Sequence, residues 1–195
     1  MMGCYLLADT MATVMAIAGH LDCPVAPIAL TEIIPESYDV DNMFNYQPMI
    51  NAIPGQSFDC PTPLNIGEGQ TSGICLLPMM ASSYTDLRKS YAEYCLPEGE
   101  FKYFSVKLGI QRFYTPDEVP HYSRSNETAG IFELRLDGRT VYRSEPIDDT
   151  TAPVFVKIPL GNAKKLMLYV RDVREPNPLT KFFYPVFAEP TLSKE

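Results

Sequence analysis

The sequence predicts an all-β protein built as a sandwich or jelly roll, and three observations carry that prediction. Eighteen prolines and eleven glycines break the 195 residues at short intervals, which suits short strands better than long helices. Twelve tyrosines and ten phenylalanines supply side chains that pack well on a pleated surface. From residue 101 onward, apolar and polar residues alternate in runs separated by turn residues, the period of half-buried strands. The length allows one ordinary domain with its own core, or one domain and an arm.

Taken in order, residues 1–45 read as an extended N-terminal arm and residues 46–195 as the sandwich domain. Within the arm, "MATVMAIAGHL" (11–21) reads as a short helix. It lacks the basic flank of a signal peptide and is far too short to span a bilayer. Prolines at 24, 27 and 35 then fix φ and remove ladder donors, so the chain is extended there, with "IALTEII" a short strand. Between 46 and 80 come short apolar pieces divided by turn residues. Residues 82–94, "SSYTDLRKSYAEY", read as a turn of helix or an irregular connection.

The strand signals are plainest after that. "FKYFSVKLGI" (101–110) sets Phe104, Val106 and Leu108 on one face and Tyr103, Ser105 and Lys107 on the other. Residues 111–130 form a long polar loop. "IFELRLDGRTVYRSEPI" (131–147) is a β-hairpin: Phe132, Leu134 and Leu136 point to a core, and Asp137-Gly138 supplies the residues that tolerate positive φ in a tight turn. "APVFVKIPL" and "KKLMLYVRDV" are two further strands joined through Gly161-Asn162. A proline-rich loop (174–180) leads to a last strand in "KFFYPVFAEPTL".

Charge narrows the function. Residues 1–87 contain no Lys or Arg and nine acidic residues; the remaining 108 hold all 16 basic residues against 15 acidic ones. No cluster of positive charge is available in the first half to displace counterions from phosphates, so nucleic acid is not an expected partner. No membrane span is expected either. The five cysteines (4, 23, 60, 75, 95) show no C-x-x-C spacing and there are two histidines, so zinc is poorly supported. Two disulfides with a free thiol, or five reduced cysteines, both fit. Asn126-Glu127-Thr128 is a glycosylation sequon.

Catalysis is not expected. Neither His20 nor His121 sits in a nucleophile–base motif, and no G-x-S-x-G, H-E-x-x-H or phosphate-cradling loop is present. Asp117-Glu118 and Asp148-Asp149 read as solvated loop charges rather than as a hydrolytic carboxylate pair.

The order of elements resembles one known family. "YAEYCLPEGEFKYFSVKLGI", the Asp-Gly hairpin followed by Tyr-x-Ser, and "LGNAKKLMLYV" together resemble the NPCBM carbohydrate-binding modules, and "TSGICLLP" is similar to an earlier strand of that family. The resemblance covers roughly residues 46–195 and implies a galactose-binding-like β-sandwich, a glycan partner, and a place outside the cell or at its surface. Members usually close with a Trp in the last strand; this chain has no Trp, so Phe182, Phe183 or Tyr184 would fill that place.

A sugar presents a face of C–H groups and a rim of hydroxyls, which call for a planar ring and for forked donors or amides. The 111–130 loop concentrates that chemistry in Arg112, Tyr114, His121, Tyr122, Arg124 and Asn126, and the opposing loop adds Arg174 and Asn177. Loops at one end of a sandwich are where such sites are built. No cofactor is expected, although Asp117, Glu118 or carbonyl oxygens leave room for a structural calcium ion. The alternative is a structural subunit whose N-terminal arm docks a neighbour, giving a homo-oligomer or filament.

Overall fold

A computed structural model describes residues 26–40, 48–53, 62–78, 88–112, 129–173 and 184–195. Its strands are β1 (Ile28–Ala29), β2 (Ser37–Asp39), β3 (Met49–Ile50), β4 (Ala52–Ile53), β5 (Thr62–Asn65), β6 (Gln70–Thr71), β7 (Gly73–Cys75), β8 (Lys89–Cys95), β9 (Tyr103–Ile110), β10 (Ala129–Leu136), β11 (Arg139–Arg143), β12 (Ile147–Asp148), β13 (Val154–Pro159), β14 (Lys165–Asp172) and β15 (Pro185–Ser193). A single 3-10 turn, Leu30–Glu32, follows β1.

Among the described residues these strands make two antiparallel sheets of six. One runs β13-β9-β15-β7-β3 with β1 on β15; the other runs β11-β10-β14-β8-β2 with β12 on β10. Alternation decides the faces. Phe104, Val106 and Leu108 of β9 face Phe132 and Leu134 of β10 and Leu166, Leu168 and Val170 of β14, all in one buried cluster. Phe132 meets Phe187 of β15 edge-on across the sandwich, ring centres 5.2 Å apart, a geometry that adds about 0.5–1.5 kcal/mol to the burial itself. The expected hairpin is there: β10 and β11 are joined by Asp137 at φ 47° and Gly138 at φ 78°. Leu136 is half-buried against the core edge. The Asp137 carboxylate also accepts from the amides of Lys164 and Lys165, each at 3.0 Å, so the turn residue ties down the start of β14 as well.

One expectation is corrected. Residues 89–95 form a central strand, β8, hydrogen-bonded to both β14 and β2. Its inward residues are Ser90, Ala92 and Tyr94, small or polar enough to mask the alternation. The consecutive strands β13 and β14 do not pair: β13 lies on β9 and β14 on β10 and β8, so the Gly161 turn carries the chain from one sheet to the other. In the last strand, Phe187 fills the main core while Tyr184 packs in a second cluster; Phe182 and Phe183 lie outside the described residues.

Of the N-terminal 45 residues, 26–40 pair within the same chain. β1 adds to β15 and β2 to β8, with Leu30 and Val40 buried in the main core. Glu36 pairs with Lys165 at 2.7 Å, and that hydrogen bond holds its carboxyl below the usual range. The helix expected within 11–21 lies outside the described residues. Cys75 and Cys95 are free thiols; Cys4, Cys23 and Cys60 lie outside.

A small third sheet, β4-β5-β6, covers part of the outer face of the β9-containing sheet. Leu64 and Ile66 pack there on Cys75, Leu77, Tyr184, Val186 and Ala188. Gly109 makes this possible: a Cβ on it would stand 2.9 Å from the Ile66 Cβ.

Candidate binding site

The two ends of the sandwich differ. At one end lie the tight turns at 137–138 and 161–163. At the other, Tyr184 O accepts from Gln111 N at 2.9 Å, Ala129 O from Val173 N at 3.2 Å, Arg88 O from Asp172 N at 2.9 Å, and Pro185 O from Leu76 N at 3.2 Å. The residues bracketing 79–87, 113–128 and 174–183 therefore converge on this second end. Arg88 and Asp172, both buried, form an ion pair there at 3.9 Å.

The polar centre of this end starts from Gln111. Its side chain is 3% exposed and fully engaged. Oε1 accepts from Asn65 N at 2.9 Å, and Nε2 donates to Pro63 O and Arg112 O, each at 3.2 Å. Arg112 N donates to Asn65 O at 2.6 Å. The end of β9 is thus stitched to β5, and the next side chain, Arg112, is fixed in direction. Its Nη2 donates to Thr151 O at 2.9 Å. Its Nε is buried with no hydrogen-bond partner among the described residues.

Thr151 belongs to a turn after β12 that is organised by one carboxylate. Asp148 Oδ1 accepts from the amides and hydroxyls of Thr150 and Thr151 at 2.6–3.0 Å. The Thr151 hydroxyl contributes most to holding the Asp148 carboxyl below its ordinary range. Asp149 is treated oppositely. Burial, and then the neighbouring Asp148 charge, push its carboxyl up, while a hydrogen bond from its own backbone amide and then the Arg112 charge pull it down. Asp149 Oδ1 is buried and without a partner among the described residues. One end of the sandwich thus holds a buried N–H donor on Arg112 and a buried acceptor on Asp149, each lacking, among the described residues, the hydrogen bond that such atoms almost always make.

Of the residues expected from sequence to bind a ligand, Arg112 is placed at this centre. Tyr114, His121, Tyr122, Arg124, Asn126 and Arg174 lie outside the described residues, as do Asn177, Asp117 and Glu118. Asp149 was expected to be a solvated loop charge; its half-buried carboxyl corrects that. Gln111 and Thr151 carried no signal of their own, since their roles depend on partners 46 and 39 positions away. Among the described residues no group of three or more His, Cys, Asp or Glu could hold a metal ion, and no helix is long and apolar enough to cross a membrane.

Among the described residues, the sandwich has tight turns at one end and the polar centre around Gln111 and Arg112 at the other. Residues 88–183 match the model of the NPCBM/NEW2 domain. Solved structures share the fold. A CBM51 from Clostridium perfringens GH95, in complex with methyl-galactose, matches at TM-score 0.56 and 18% identity, covering 86% of this chain and 100% of that one. The catalytic domain of C. perfringens ZmpB with its two CBM51 domains matches at 0.57 and 17%, covering 86% of this chain and 15% of that one. The tandem CBM51 modules of Sp3GH98, a family 98 glycoside hydrolase from Streptococcus pneumoniae, match at 0.55 and 17%, with 86% and 47% covered. This chain therefore spans all of the first and less than half of the other two. No curated protein matches the sequence.

Proposed function

We propose that this chain is a non-catalytic glycan-recognition module that holds its sugar at the end of the sandwich where Arg112 and Asp149 lie. The observation that carries this is the pair of buried polar atoms, Arg112 Nε and Asp149 Oδ1, that have no partner among the described residues. A sugar hydroxyl donates and accepts at once. One hydroxyl, or two neighbouring ones, can accept from Arg112 and donate to Asp149, relieving groups that each cost about 1–3 kcal/mol when left unsatisfied. The family, one of carbohydrate-binding modules, supports the reading, as does the methyl-galactose complex of a CBM51 with this fold.

The residues that begin at Arg112 and at Val173 supply the remaining chemistry. Tyr114 and Tyr122 offer rings for the C–H face of a sugar; His121, Arg124, Asn126 and Arg174 offer donors and acceptors for its rim. Such a module works outside the cell or at its surface, where free glycans are displayed. It supplies binding only; no step of bond cleavage is assigned to it.

The test is a glycan array with the full chain, followed by titration of the glycan that binds, using wild type and Arg112→Ala. Removing a charged hydrogen-bond donor costs about 1.5–3 kcal/mol, so affinity should fall roughly 10- to 100-fold while circular dichroism stays unchanged. A blank array, or equal binding by the folded Arg112→Ala protein, would overturn the proposal.

A further inference from the structure

We infer that Gly67, in the β5–β6 turn and outside the 88–183 family match, is a positioning residue that sets the Arg112 guanidinium in place for the glycan. The inference rests on the reading of Arg112 as a glycan contact. A Cβ added at Gly67 would fall 2.4 Å from Arg112 Nη1, 2.5 Å from Cζ and 2.9 Å from Nε. A side chain there would require the Arg112 guanidinium to move aside, so the bare Cα of Gly67 is the floor on which the guanidinium lies.

The floor is itself fixed. Gly67 sits at φ +106°, a conformation open to glycine and strained for other residues. Its N–H donates to Asn65 Oδ1 at 2.8 Å. Asn65 in turn is bound through its own amide to Gln111 and through its carbonyl to Arg112 N. The next residue, Glu68, pairs with Lys107 of β9 at 2.9 Å, and Lys107 reaches Glu189 of β15 at 3.3 Å. The turn is thereby held on both sides of Gly67. With the floor below it and Thr151 O accepting from Nη2, the guanidinium has two fixed contacts, and Nε is a buried donor with no partner among the described residues. The small β4-β5-β6 sheet is thus part of the binding unit, although the family match begins after it.

A neighbouring glycine supplies the control. Gly69 has φ +98° but nothing within 4 Å of an added Cβ. Gly67→Ala and Gly69→Ala therefore incur similar backbone strain, while Gly67→Ala alone displaces Arg112. The full chain, labelled with 15N, reports the Arg112 Nε–Hε resonance directly, assigned by its loss in Arg112→Lys. Methyl-galactose is the titration probe, together with any glycan the array identifies. Gly67→Ala should shift or broaden the Arg112 resonance and weaken binding at least 10-fold, whereas Gly69→Ala should change neither. Equal effects from the two variants, or an unmoved resonance in Gly67→Ala, would overturn the inference. Should Gly67→Ala not fold, Asn65→Ala removes the acceptor that fixes the turn without adding an atom, and the same resonance must move. If wild type binds no sugar, the reading of the site fails, and the resonance alone decides whether Gly67 positions Arg112.

Discussion

Replacing Gln111 by glutamate changes one group, NH2 to O or OH, in a side chain with almost no exposure, and the structure fixes the consequence. In the native protein Nε2 donates to two carbonyls, Pro63 O and Arg112 O. The neutral carboxyl of a Gln111→Glu variant has one O–H and keeps one of these bonds, a loss of about 1 kcal/mol. An ionised carboxylate has none and points negative charge at two carbonyl oxygens in a desolvated site. Full burial raises a carboxyl pKa by as much as about 3–5 units; taking about 2 units gives about 2.7 kcal/mol more. The sign follows from proton binding. Between the ordinary glutamate value of about 4.3 and its raised value, the folded variant holds more protons than the unfolded one, so its stability falls as pH rises. Gln111→Glu should therefore lie about 1 kcal/mol below wild type at pH 4 and about 4 kcal/mol below it at pH 8. Urea unfolding of both proteins at the two pH values measures the difference. A deficit that is the same at both, or absent at pH 8, would refute the view that Gln111 stitches β5 to β9 through these carbonyls.

Gly109→Ala puts a methyl carbon 2.9 Å from the Ile66 Cβ, an overpacking that should cost about 1–3 kcal/mol. Pairing it with Ile66→Ala should recover part of that cost, and a double-mutant cycle with no coupling would show that the two do not meet. Asp149→Asn removes a carboxyl whose raised pKa makes wild-type stability decline as pH climbs above the ordinary aspartate value of 3.8. The variant should melt higher than wild type at neutral pH and bind glycan more weakly. A lower melting temperature would mean that Asp149 is a structural anion and not a ligand group.

Much of the fold was legible because strand alternation is a local property. Phe104, Val106 and Leu108, or Leu166, Leu168 and Val170, declare one buried face within a few residues. The Asp137-Gly138 turn declares its own geometry, since positive φ restricts the residues that can occupy it. β8 was illegible for the converse reason: Ser90 and Ala92 give no hydrophobic signal, and they are interior because the neighbouring strands β14 and β2 place them there. Sheet membership was likewise hidden. β13 and β14 follow one another through the Gly161 turn, and both bury their inner faces in one core from opposite sheets.

The site divides in the same way. Arg112 was singled out in the sequence as a cationic side chain at the start of a polar loop, the kind of group that suits a sugar's rim. Gln111, Gly67, Thr151 and Asp149 were not. By itself the sequence determined an all-β chain, the strands from β9 onward except their partners, and the residue types available for a glycan. The tertiary structure alone decided that the turn at residues 65–69, the end of β9 and the turn at 148–151 meet. The physical reason is that a buried donor or acceptor is defined by what fails to reach it, and that depends on segments far apart in the chain being folded against one another.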